Sequence, residues 1–96
     1  VGNKYLIKFN KPYTFEGKEY TEIDISGVEE LTTKDIADAD REFVTMGYVA
    51  AMNEMSVPYA AVVAAKATKK PVEFFMNLPA NEGIKIKNLV MGFFYN

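Results

Sequence analysis

The stretch Tyr13-Thr14-Phe15-Glu16-Gly17-Lys18-Glu19-Tyr20 constrains the fold more than any other part of the chain. Aromatic and polar residues alternate on both sides of Glu16-Gly17, and Gly17 supplies the positive φ that a two-residue hairpin turn demands. In that register Phe15 stands opposite Lys18 and Tyr13 opposite Tyr20, so two tyrosines share one face. The pattern continues upstream. From Lys4 to Phe9, Tyr5, Ile7 and Phe9 alternate with Leu6 and Lys8, as in a half-buried strand. Pro12 interrupts, which marks a bend, a bulge or an edge position. Downstream, Thr21, Ile23 and Ile25 alternate with Glu22 and Asp24. One face of this second strand is apolar and the other acidic, and Gly27 is expected to end it.

The period then changes. Thr32 and Asp35 have the spacing of a capping box. Ile36, Ala39, Phe43 and Met46 or Gly47 fall on one helical stripe, while Asp38, Arg41, Glu42 and Thr45 face away. Gly47 is expected to end or kink this helix. Ser56 and Pro58 suit the N-cap and first turn of another. Tyr59 to Thr68 is Ala-rich and apolar nearly all round, the mark of a buried helix. Lys66, Lys69 and Lys70 complement its C-terminal dipole. Pro71 opens a short helix over Val72 to Asn77. Pro79 opens another, with Glu82 in its first turn and Ile86, Leu89 or Val90, and Phe93 on its apolar stripe. The expected architecture is a single α+β domain over residues 1–96: an N-terminal antiparallel β-hairpin or small sheet, then three to four packed helices.

The chemistry open to such a domain is narrow. The 96 residues include no His, Cys or Trp. Histidine triads, thiol nucleophiles, thiolate zinc sites and disulfides are therefore excluded. Asp35, Asp38, Asp40 and Glu42 crowd one helix, but the loop spacing of a calcium hand is absent. Lys66-Ala67-Thr68-Lys69-Lys70 follows no Gly-rich loop, so it is not a phosphate loop. A formal net charge of −2 and a pI near 5.1 argue against a nucleic-acid binder. No apolar run has the length of a membrane span. Val1 to Tyr5 lacks the layout of a signal peptide, and a cytoplasmic location is expected. No enzymatic activity, cofactor or metal is expected.

Charge is uneven along the chain. Residues 16–42 hold ten acidic side chains against Lys18, Lys34 and Arg41, a net of −7. Residues 66–87 hold five lysines against Glu73 and Glu82, a net of +3. Either these are solvated faces or the molecule has two electrostatic ends that orient partners. Apolar, adaptable side chains supply the second kind of candidate surface. Met52, Met55, Phe74, Phe75, Met76, Phe93 and Phe94 are the candidate partner-binding residues. Phe93-Phe94-Tyr95 is the foremost stretch, because termini seldom carry three consecutive aromatics without docking them on something.

Several stretches, in order, carry a resemblance. They are Lys11-Pro12-Tyr13-Thr14-Phe15-Glu16-Gly17-Lys18-Glu19-Tyr20-Thr21-Glu22-Ile23-Asp24, Leu31-Thr32-Thr33-Lys34-Asp35-Ile36 and Ala39-Asp40-Arg41-Glu42-Phe43. Pro71-Val72-Glu73-Phe74-Phe75, Leu78-Pro79-Ala80 and Ile86-Lys87-Asn88-Leu89-Val90 follow. Together they resemble the small tail assembly chaperones of tailed bacteriophages and prophages, the group that includes the E-type proteins. The likeness spans roughly residues 9–95 and is thinnest from Gly47 to Met55. It implies a non-enzymatic protein of the bacterial host cytoplasm. Its partners would be the tape measure protein, which it keeps soluble, and the tail tube protein, whose subunits it helps recruit. A longer product made by translational frameshifting is common in such phages, and this chain would be the short form. Self-association into a homo-oligomer stays open, and neither nucleic acid nor membrane is an expected partner. The alternative is a generic cytoplasmic adaptor that binds through the acidic sheet face at Glu22 and Asp24.

Overall fold

Glu16 and Gly17 both take positive φ, 51° and 81°, and close a two-residue turn. The computed structural model describes residues 4–47 and 56–95. In it the turn joins β1, Leu6–Phe15, to β2, Lys18–Asp24, in a two-stranded antiparallel sheet. Phe15 pairs with Lys18 and Tyr13 with Tyr20, as the alternation predicts. Nearer the strand ends, Leu6 pairs with Asp24, Ile7 with Ile23 and Lys8 with Glu22. Between these two stretches the register shifts, and residues 9–12 of β1 stand against Thr21 alone. Pro12 sits in this bulge. It lacks an N–H for the ladder, and the chain places it where the ladder is already broken.

β2 stops at Asp24, and Ser26–Glu30 forms a 3₁₀ turn. Gly27 therefore lies inside a helical turn and does not end the strand. A β-carbon at Gly27 would overlap the carbonyl oxygen of Ala67, so a missing side chain lets this turn lie against the next layer.

α1 spans Thr33–Thr45 and carries the capping box. Asp35 N–H donates to Thr32 Oγ1 over 3.2 Å, and Thr32 N–H donates to Asp35 Oδ2 over 2.9 Å. Ala39 and Phe43 are buried, with Ile36 and Met46 half-buried beside them. Gly47, at φ 89°, lies just past the end of the helix. α2, Val57–Thr68, is the buried helix: every residue from Tyr59 to Ala65 is in the core. Ser56 caps it by accepting from the Tyr59 N–H. α1, α3, α4 and the 3₁₀ turn all pack on α2. α3 is a single turn, Val72–Met76, and α4 runs Ala80–Phe94. One face of the hairpin, through Tyr5, Ile7 and Ile23, closes the core.

Phe74 joins the sheet to the helices. Its ring meets Tyr13, Phe15 and Tyr20 edge-on at centroid distances of 5.2, 5.3 and 4.9 Å. Tyr13 also donates its hydroxyl hydrogen to the Phe74 carbonyl over 2.8 Å. Phe74 and Phe75 are buried. Of the candidate partner-binding residues, these two are core.

Candidate partner-binding surface

Two further candidates, Phe93 and Phe94, lie on α4. Phe93 and Phe94 are consecutive, so their side chains leave the helix about 100° apart. Phe94 is half-buried against Tyr59, with centroids 6.0 Å apart. Together with Ile36, Asp40 and Tyr95 these two rings line a hollow of about 260 Å³ between α1 and the end of α4. Tyr95 is 58% exposed and Val44 63%, so large apolar groups reach solvent on α1 and at the end of α4. Phe93 lines a second hollow of about 170 Å³ with Lys4, Tyr5, Asn88, Leu89 and Gly92. Met76 is half-buried and packs against the core. Met52 and Met55 lie outside the described residues.

Ile36 and Tyr59 belong to the first hollow, and periodicity assigns them only to helix faces. Their helical spacing says that they point inward. It does not say that α4 ends beside them.

The charged segments meet at one place. Lys66 and Lys69, at the end of α2, share a cleft of about 620 Å³ with Glu30, Leu31 and Asp35. Acid and base meet there across the surface of the 3₁₀ turn. Two hydrogen bonds from Thr32, first from its backbone and then from its side chain, hold the Asp35 carboxyl below the usual range, and Lys66 and Lys34 add to this. Asp38 is paired twice, with Lys34 at 3.6 Å and with Arg41 at 3.2 Å. Among the described residues no group of three or more acidic side chains converges on a possible metal position. Nor is any helix there long and apolar enough to cross a membrane.

The outer sheet face is also mixed. Lys8 stands opposite Glu22 and Leu6 opposite Asp24. Lys70 lies over the rings of Tyr20 and Phe74, 4.9 and 5.3 Å from their centroids.

One residue behaves unlike its sequence position. Glu82 sits in the first turn of α4, where an acid normally faces water and offsets the dipole, yet it is 2% exposed. Its Oε2 accepts from the Asn10 N–H over 2.7 Å, in the bulge of β1. Its Oε1 lies 3.0 Å from Lys85 Nζ, where the attraction is of charge and no aligned hydrogen bond reaches the oxygen. Lys85 in turn donates to Asn10 Oδ1 over 3.1 Å and to the Lys8 carbonyl over 3.4 Å. Glu82 thus serves a strand N–H that the bulge removes from the ladder. Pro12 hints at the bulge, but no sequence signal ties Glu82 to it, because the two lie far apart in the chain.

Comparison with known proteins finds no matching family, no matching curated protein and no matching solved structure.

Proposed function

We propose that this chain is a tail assembly chaperone, acting by stoichiometric binding to a tape measure protein and aiding recruitment of tail tube subunits. The observation that carries the reading is the ordered series of segments from Lys11 to Val90 that resembles that group. The apolar surface between α1 and the end of α4 supports it. A long amphipathic helix lays an apolar stripe into a shallow apolar groove, and Ile36, Phe94 and Tyr95 line a hollow of that kind.

The test is co-expression with a phage tape measure protein. A soluble complex that survives size exclusion is the expected result. An insoluble tape measure protein, with this chain eluting alone, overturns the reading. Val44→Ser and Tyr95→Ser separate surface from core. Both keep the fold, and both lower the yield of soluble complex.

A further inference from the structure

We infer that the hollow between α1 and the end of α4 receives the guanidinium group of an arginine presented by a partner polypeptide. The inference rests on the reading of this surface as a docking face and adds what the partner must bring to it.

The hollow is small and mixed in chemistry. Its volume of about 260 Å³ falls below the roughly 300–1,000 Å³ of a small-molecule site, and suits one inserted side chain. Ile36, Tyr59, Phe94 and Tyr95 supply its apolar and aromatic walls, and Asp40 is the one charged residue that lines it. Tyr59, at 2% exposure, forms the floor. The Phe94 ring lies next to it, tilted by 39°. Tyr95 stands exposed at the rim.

The charge of this hollow has one sign. Asp40 is exposed. Residues 57–65 of α2 and 88–94 of α4 include no charged side chain, so neither helix brings a cation to it. On α1, the neighbours of Asp40 one turn away on the same face are Ile36 and Val44. The cations of that helix, Lys34 and Arg41, both pair with Asp38. An ionised carboxylate offers about four lone-pair sites, so a contact within the fold does not exhaust Asp40.

Carboxylate and rings together select the guest. A purely apolar side chain would cover Asp40 and strip it of water without replacing the lost hydrogen bonds. An acidic one would be repelled. A guanidinium satisfies both parts of the site. It is flat and weakly hydrated, it stacks on aromatic faces, and its paired N–H groups match a carboxylate. Its methylene stem can lie along Ile36 and Tyr95. An amphipathic helix with an arginine at the border of its apolar stripe presents this group while the stripe covers the rest of the surface. A second copy of this chain is a poor source, because its single arginine, Arg41, is held by Asp38.

The test titrates N-acetyl-arginine methylamide into the full chain, with the uncharged citrulline analogue of the same shape in parallel, both followed by NMR. The expected result is saturable binding of the arginine probe with a Kd of about 1–10 mM, and shifts gathered at residues 36, 40, 59, 94 and 95. The citrulline probe should bind about fivefold more weakly. Asp40→Asn removes the difference between the probes. Asp38→Asn, which takes the same charge from α1 outside the hollow, preserves it. Phe94→Leu keeps apolar bulk without the ring and weakens the arginine probe about threefold or more. Cooperative thermal unfolding of each variant shows that the fold is kept. Absence of saturation by about 50 mM overturns the inference. So does an equal loss in Asp38→Asn and Asp40→Asn, which makes the effect one of net charge. Equal binding of the two probes overturns the arginine and leaves the docking surface standing. Discrimination between the probes without a tape measure complex supports the arginine site and overturns the tail-assembly reading alone. Concentration-dependent self-association that the arginine probe reverses overturns the separate partner and makes the occupant Arg41 of a second copy.

Discussion

Phe74 and Phe94 look alike in the sequence, each half of a Phe-Phe or Phe-Phe-Tyr run, and their surroundings set their worth apart. Phe74 is fully buried and touches four aromatic rings. Phe74→Ala is expected to cost about 3–5 kcal/mol, read from urea unfolding. Phe94→Ala is expected to cost under about 2 kcal/mol, since that ring is only partly buried. Tyr13 contributes through both ends of its side chain. Tyr13→Phe keeps the ring contacts and removes the bond to the Phe74 carbonyl, at about 1 kcal/mol. Burial also pushes the Tyr13 hydroxyl above its ordinary pKa. The neutral form is thus favoured in the fold. Its contribution is fully present below the unfolded value near 10 and is lost as pH rises through the folded one. In Tyr13→Phe, the part of the alkaline loss of stability due to this residue should disappear, as pH-dependent melting would reveal.

At the scale of elements, capping and close approach decide more than propensity. Thr32→Ala removes the N-cap of α1 and should destabilise the chain by about 1 kcal/mol in chemical denaturation. The depressed Asp35 carboxyl gives the same cap a pH signature. A group with a lowered folded pKa stabilises above its unfolded value and loses that contribution as pH falls through the folded one. Acid melting should therefore be shallower in Asp35→Asn than in the parent chain. Two glycines make opposite predictions. Gly27→Ala forces the 3₁₀ turn off the Ala67 carbonyl and should lower Tm. Gly92→Ala meets open space and should raise stability by up to about 1 kcal/mol.

For the whole molecule, the joint between sheet and helices includes, beside the buried face of Tyr5, Ile7 and Ile23, the Phe74 aromatic cluster and the Glu82–Asn10 bond at the bulge. Glu82→Leu should cost about 1–3 kcal/mol, because it strands the Asn10 N–H as well as Lys85. Glu82→Gln keeps an acceptor for that N–H and should cost less. Hydrogen exchange at the Asn10 amide distinguishes the two variants. The sequence by itself determined the hairpin register at its tip, the capping box, the buried character of α2 and the order of elements. Each of these rests on residues within a few positions of one another, where turn chemistry and periodicity act. Tertiary structure alone decided which aromatics stay at the surface, that the acidic and basic segments meet in one cleft, and that Glu82 is buried. Those outcomes depend on partners such as Asn10, more than seventy positions away from Glu82. Local pattern fixes which face of an element turns inward, but only the packed fold fixes what that face meets.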